Sequence, residues 1–319
     1  MSRNTVISIL KLIATVLLSY LFIRRTDFTG VIAALSRLSP GLITALAVLN
    51  VIGLFISAYK WHMLLPGAAF KGLLTACFAS YYMGLLLPGQ FAQEAAKAYY
   101  LSLGQSLRVH LIAASVVVDK VISIIGLLVV GVIGLAFSEA NLPNSLTWLF
   151  VTAGLAAILL LFSLRVPWLY TVVSRYLGAL GDRLPRQRRI LGGGIRVVDA
   201  WHTYSKNLPL LVGNVAVAIV YQLVGVLMFV VLSRGLGLPI GFFDWSWIVG
   251  ALTLALFLPV TVGGLGVREG TLIGILAMYG YNREMAVALS FVAFSFVLML
   301  AVIGAALLLG ARLARRRSL

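Results

Sequence analysis

Six ionisable residues lie within or beside stretches of sequence too apolar to accept them: Glu94, Lys97, Asp119, Lys120, Arg268 and Glu269. A charge at the centre of a bilayer costs at least a few kcal/mol, so such residues face a protein interior or a wet cavity and take partners there. Asp119 stands about ten residues into its apolar run, roughly 15 Å at 1.5 Å per residue. That depth is close to the middle of a hydrocarbon core about 30 Å thick. Helical neighbours point about 100° apart, so Asp119 and Lys120 do not neutralise each other well, nor do Arg268 and Glu269. Glu94 and Lys97, three apart, share a face. The economical arrangement is cross-pairing between elements, Asp119 with Lys97 or Arg268 and Lys120 with Glu94 or Glu269. Such a group either clips helices together or lines a polar cavity that admits a charged head group while acyl chains stay in lipid.

Two turns sit beside these charges. Leu87-Pro88-Gly89 precedes Glu94 and Lys97, and Leu258-Pro259 with Gly263, Gly264 and Gly266 precedes Arg268 and Glu269. Proline lacks an amide proton and disfavours helix at the residue before it, so each Leu-Pro ends a helical arm inside the membrane. The glycines let backbone amides approach a ligand closely, and a helix starting past such a turn offers its positive end to an anion. Pro88, Gly89, Pro259, Gly263, Gly264 and Gly266 are thus candidate gating turns around a head-group path. Other chemistry finds no footing. There is no Walker motif, no His-Glu-x-x-His and no Gly-x-Ser-x-Gly. His62, His110 and His202 lack metal-site spacing, and Cys77, the only cysteine, excludes an intrachain disulfide and a thiolate cluster. No cofactor and no metal are expected. Gly192-Gly193-Gly194 lacks the strand context of a dinucleotide site and reads as a flexible joint.

The elements that must position these residues follow from composition. Of 319 residues 61% are hydrophobic and 11% charged, where a soluble domain carries about 25% charged residues. The mean hydropathy is +1.06. The net charge of +16 does not imply nucleic acid, because the basic residues sit in short gaps between apolar runs and there set orientation and attract anionic lipid. The chain reads as an all-α polytopic membrane protein with full spans near 5–23, 40–59, 111–137, 145–164, 208–233 and 285–311. The first is an uncleaved span rather than a secretory signal, since no small-x-small site follows it and Arg24-Arg25 does. Tryptophans and the pairs Tyr81-Tyr82 and Tyr99-Tyr100 mostly fall near span ends, as interfacial belts do.

Lysine and arginine fix orientation. The basic loop 165–206 and the arginine-rich C-terminal tail belong in the cytoplasm, and so does the N-terminus, with the chain returning inside at Lys60–Lys71. Both assignments hold only if 72–107 and 245–281 each enter the membrane and leave by the same face. These are two re-entrant helix pairs, one from each side, within a first half (40–164) and a second half (208–311). Together they form an inverted repeat of the kind whose broken helices mark transporter binding sites. Arg24, Arg25 and Arg37 then fall outside, against the rule, and 27–38 reads as an amphipathic helix on the outer surface.

The stretch from Leu87-Pro88-Gly89-Gln90-Phe91-Ala92-Gln93-Glu94 through Lys97 to Leu101 resembles the L-P-G-x-x-G-(D/E)-x-x-(R/K)-x-x-x-L signature of the lysylphosphatidylglycerol synthase transmembrane family. Val118-Asp119-Lys120 sits where that family has an acidic-basic pair, and Leu258-Pro259 through Gly263-Gly264-Leu265-Gly266-Val267-Arg268-Glu269 resembles its second signature. Ala92 replaces a frequent glycine, and Asp119-Lys120 replaces the commoner Glu-Arg. The family includes the flippase half of the multiple peptide resistance factor, so the resemblance implies a lipid flippase of a bacterial cytoplasmic membrane. With no soluble transferase after the last span, the expectation is a transporter and not a synthase. The expected partners are membrane lipids, a second copy of the chain as a homodimer, and a separate lipid synthase. Two other classes stay open: a membrane enzyme or enzyme subunit acting on a lipid or polyprenyl phosphate, and a scaffold that docks a synthase through 165–206.

Overall fold

The computed structural model describes residues 28–86, 90–104, 107–140, 144–163, 165–183, 188–257 and 264–317, and all regular elements among them are helical. In chain order the helices are α1 (Phe28–Leu35), α2 (Pro40–Leu64), α3 (Phe70–Leu86), α4 (Gln90–Gly104), α5 (Val109–Phe137) and α6 (Asn144–Ser163). They continue with α7 (Pro167–Arg183), α8 (Arg188–Lys206), α9 (Leu208–Gly235), α10 (Phe242–Phe257), α11 (Val267–Met278) and α12 (Arg283–Arg317). Five are long and apolar enough to cross a bilayer: α2, α5, α6, α9 and the Arg283–Gly310 part of α12. They coincide with five of the six spans read from hydropathy. The sixth, 5–23, lies outside the described residues, as do Pro88, Gly89, Pro259 and Gly263. The protein is a multi-pass α-helical membrane protein.

The helices begin where local chemistry allows. Ser39 caps α2 by accepting from the Leu42 amide at 3.2 Å, with Pro40 at the first helical position. Asn207 caps α9 through the Leu210 amide at 3.2 Å, with Pro209 in its first turn. Side-chain caps satisfy amides that have no partner inside the helix, and proline there loses no hydrogen bond. Large apolar residues point outward: Ile43 and Phe55 on α2, Leu155 and Leu159 on α6, Val302 and Leu309 on α12 are exposed. Lipid covers such faces, whereas water would not tolerate them. The exception is α5, with 61% of its apolar window buried against 17–33% in the other four spans, which makes it the central helix.

Around α5 the elements pack in two matching sets. α3 and α4 lie against each other, with Gly84 on the Gln93 side chain near their junction. α10 and α11 also lie against each other. α2 packs on α3 and α9 on α10, α4 on α5 and α11 on α12, α3 on α12 and α10 on α5. Exchanging α2–α5 with α9–α12 turns each of these contacts into another of the set. α9 also packs on α2 and on α5, and the crossings of α3 with α12 and of α10 with α5 share a device. Gly304 of α12 lies against the Phe78 and Ala79 backbone of α3. Gly134 of α5 lies against the Phe243 carbonyl and Trp247 amide of α10, where an added Cβ would stand 2.6 and 2.8 Å from them. Small residues at such crossings let helix backbones approach where no hydrophobic force drives association.

The basic stretch 165–206 is not an open loop among its described residues, because α7 and α8 occupy most of it and pack together. Gly192-Gly193-Gly194, read from sequence as a flexible joint, lies inside α8. Tertiary packing outweighs the poor helix propensity of glycine there. Trp201 donates to the Leu161 carbonyl of α6 at 3.1 Å, Tyr204 to the Leu64 carbonyl of α2 at 2.7 Å, and Ala200 is buried. Burial pushes the Tyr204 phenol up to about 12. The Tyr170 hydroxyl donates to Asp199 Oδ1 at 2.8 Å, which raises its pKa and ties α7 to α8. Tyr204→Phe is expected to lower stability by about 1 kcal/mol by leaving the Leu64 carbonyl without its donor. Thermal unfolding in detergent checks this. The predicted amphipathic helix at 27–38 is α1, which packs on α12.

Candidate functional site

Asp119, in the first half of α5, is gripped from both sides. Lys60 Nζ stands 2.9 Å from Oδ1 and Lys97 Nζ 3.0 Å from Oδ2. Lys60 also donates to the Asp119 backbone carbonyl at 3.1 Å and to the Ser123 hydroxyl. Lys97 lies over the Trp61 ring, 4.3 Å from its centroid, and Trp61 is fixed by its indole N–H to Ser115 Oγ at 2.9 Å. All three charged side chains are at most 6% exposed. One carboxylate thus ties α2 and α4 to α5.

A looser group lies beside this triad. Lys120 Nζ is 3.4 Å from Glu94 Oε1, and Glu94 Oε2 is 3.8 Å from Lys97. Glu94 and Lys120 keep about a fifth of their side-chain surface exposed, 22% and 19%. Lys120 stands 4.7 Å over the Phe257 ring of α10, and the Arg268 guanidinium 4.9 Å over the Phe294 ring of α12. Cations over aromatic faces keep part of their stabilisation where water is scarce. Asp119–Lys97 and Lys120–Glu94 are two of the cross-pairs that the spacing calls for.

These charges border a cavity of about 390 Å³. Helices α2, α3, α4, α5, α9, α10, α11 and α12 all contribute to its wall, so it lies between the two matching sets. Glu94, Lys97, Asp119, Lys120 and Arg268 line it, with hydroxyl and amide groups from Ser57, Tyr81, Gln93, Tyr221 and Thr253. Of the expected turn residues, Gly264 reaches its edge, at φ +75°. That left-handed conformation favours glycine, and a Cβ there would also press on Leu256 Cδ2 at 2.7 Å.

Glu269 has a different place. Its Oε2 accepts the Gly266 amide at 2.6 Å and its Oε1 accepts the Ser290 hydroxyl at 2.7 Å. It caps α11 and ties it to α12, while Gly266 is the N-cap at φ +84°. Its neighbour Arg268 faces the cavity, as residues one apart on a helix diverge.

Sequence reasoning missed Lys60. Hydropathy ends the span at Tyr59 and places Lys60 with Lys71 on the inner side, but α2 runs on to Leu64 and Lys60 is 1% exposed. The signal was there in Ala58-Tyr59-Lys60-Trp61-His62-Met63-Leu64-Leu65, where apolar sequence continues past the lysine. Among the described residues no cluster of His, Cys, Asp and Glu has the form of a metal site.

These side chains all fall within the match to one family model. The model described as "Lysylphosphatidylglycerol synthase TM region" matches residues 8–317. The chain belongs to the lysylphosphatidylglycerol synthase transmembrane family. That match covers both proline turns, the charged triad and all five described spans of this family member. No match was found among curated proteins or among solved structures.

Proposed function

We propose that this family member is a lipid flippase, carrying a polar head group through its central cavity while the acyl chains remain in lipid. The observation that carries this reading is a charged, hydroxyl-lined cavity within a bundle whose outer faces are apolar. A cavity of about 390 Å³ falls within the size of small-molecule sites, roughly 300–1,000 Å³. It holds a head group and leaves two acyl chains outside. Structural clips alone would need no such space.

In this reading α3–α4 and α10–α11 are the two re-entrant pairs, and α2–α5 and α9–α12 the two inverted repeats. The exchange-symmetric contacts and the paired glycine crossings support it. The cavity lies where the repeats meet, as binding sites of such transporters do. Pro88-Gly89 and Pro259 through Gly266 act as gates, and Glu94, Lys97, Asp119, Lys120 and Arg268 form the head-group path. The role is transport, not catalytic turnover. The membrane is the bacterial cytoplasmic one, with both termini and the α7–α8 segment on the cytoplasmic side by the positive-inside rule, and the lipid carries an anionic or modified head group.

Reconstitution tests this. The purified chain in phosphatidylcholine vesicles with a trace of acyl-labelled anionic lipid should make the inner-leaflet label accessible to a membrane-impermeant quencher at least about tenfold faster than in empty vesicles. Equal rates across anionic, zwitterionic and aminoacylated lipids, all matching empty vesicles, would end the flippase reading.

A further inference from the structure

One helix of the basic segment carries its largest apolar side chains on the side away from the protein. α7 packs on α8, and the face it turns inward is engaged there. The Tyr170 hydroxyl donates to Asp199, and Leu177 Cδ1 comes within 3.9 Å of where a Cβ on Gly194 would stand. At 100° per residue, Trp168, Val172, Tyr176 and Ala179 fall within about 80° of one another on the opposite side. All four are exposed, Trp168 by 70% and Tyr176 by 68%. Between Pro167 and Leu180 the one charged residue is Arg175, which lies beside this stripe and is exposed as well. An apolar stripe with tryptophan, tyrosine and a base, and no acid, is the composition of a helix lying in a membrane interface.

The place of α7 in the chain puts that stripe at the bilayer. α6 is one of the five spans, and its 20 residues reach about 30 Å, the thickness of a hydrocarbon core. α7 starts at Pro167, shortly after α6 ends at Ser163. Its neighbour α8 is tied to the ends of two spans, through Trp201 to the Leu161 carbonyl of α6 and Tyr204 to the Leu64 carbonyl of α2. The pair is thus held at the level where the spans leave the membrane. Exposed apolar surface also continues from the lipid-covered face of α6 onto α7, through Leu159, Leu160, Val166 and Trp168. Arg165 in the connection and Arg175 on the helix are both exposed and supply positive charge for anionic head groups.

We infer that α7 is a membrane-surface anchor, docked through this stripe into the head-group region of the bilayer that α6 crosses. Trp168, Val172 and Tyr176 insert below the head groups, and Arg165 and Arg175 meet lipid phosphates. The partner is a lipid surface and not a soluble protein. None of this depends on whether the protein moves lipid.

Spin labelling of the full chain in vesicles of phosphatidylcholine and phosphatidylglycerol decides it. Cys77 is the only cysteine, so Cys77→Ala gives a background for Val172→Cys or Tyr176→Cys, each carrying a nitroxide. Leu155→Cys on the exposed face of α6 is the lipid reference, and Glu139→Cys, exposed between α5 and α6, is the water reference. Each label is read by its collisions with oxygen, which concentrates in lipid, and with a water-soluble nickel chelate. The oxygen-to-nickel ratio at 172 and 176 should exceed that at 139 by at least about fivefold and approach that at 155, as an inserted face requires. Adding Arg165→Gln and Arg175→Gln should lower the ratio at 172 in these vesicles and leave it unchanged in pure phosphatidylcholine. Nickel collisions at 172 and 176 as frequent as at 139 would overturn the anchor and leave the stripe to a soluble partner. A ratio indifferent to the two arginines in anionic vesicles would overturn their contact with phosphate.

Discussion

Asp119→Ala is expected to leave this protein largely unfolded, or folded with a midpoint far below that of the parent chain. The change strands Lys60 and Lys97, which are 1% and 6% exposed. Removing one partner of a buried ion pair costs about 3–5 kcal/mol, because the other charge stays buried without compensation. The two lysines are not equivalent in this. Lys97 keeps Glu94 at 3.8 Å and the Trp61 ring at 4.3 Å. Lys60 keeps only neutral acceptors, the Asp119 backbone carbonyl and Ser123. Adding Lys60→Met to Asp119→Ala should therefore restore more stability than adding Lys97→Met does. Replacing all three with Met, Met and Leu should come close to the parent, since apolar residues of similar volume often substitute for a buried ion group without loss. Thermal unfolding followed by size-exclusion chromatography reads each variant. An Asp119→Ala protein as stable as the parent would mean that the triad contributes nothing to the fold.

How far such a group is legible from sequence depends on what betrays each member. Asp119 stands deep in an apolar run, so depth alone marked it, and its need for a cation led to Lys97. Lys60 sits near the end of an apolar run, where lysines ordinarily snorkel to the interface, and nothing local distinguishes a buried lysine from one that does. The partner that buries it is 59 residues away. Glu269 is ambiguous in another way, since a carboxylate three residues after a glycine turn is also what a helix cap needs, and sequence does not separate that role from a path residue. The spans were legible because lipid imposes a length and a composition on each helix. The fold of 165–206 was not, because three consecutive glycines argue against helix and the contacts that override them, Trp201 to Leu161 and Tyr204 to Leu64, are distant in the chain. The matching contact sets of α2–α5 and α9–α12 have their sequence counterpart in the charge-based orientation, which calls for two pairs, and in the two proline turns. Gly134 and Gly304 carry no local sign that their missing side chains make room for another helix.

Lys120→Gln together with Arg268→Gln should produce the opposite result to Asp119→Ala: a protein that folds and no longer moves lipid. Lys120 is 19% exposed and stands 3.4 Å from Glu94, so losing its charge removes little from the folded state, within about 1 kcal/mol for such a pair. Arg268 lies over Phe294 at the cavity wall, and glutamine keeps hydrogen-bonding capacity there. Transport should suffer far more. A hydrogen bond to a charged group contributes about 1.5–3 kcal/mol, and every 1.4 kcal/mol is a factor of about ten. Losing both cations of the head-group path predicts a fall of at least about 10²-fold in the rate of anionic lipid movement in vesicles, with the unfolding midpoint nearly unchanged. Glu94→Gln should act in the other direction on binding, since it removes an anion 3.4 Å from Lys120 at the cavity, and a tighter hold on the anionic lipid is expected. If instead the double variant moved lipid at the parent rate, the cations at the cavity would be clips like the triad behind them. The two sets of variants thus ask one question of neighbouring residues: whether the ion triad, at most 6% exposed, holds the helices, while Lys120 and Glu94, about a fifth exposed, and Arg268, 8% exposed at the cavity wall, meet the lipid.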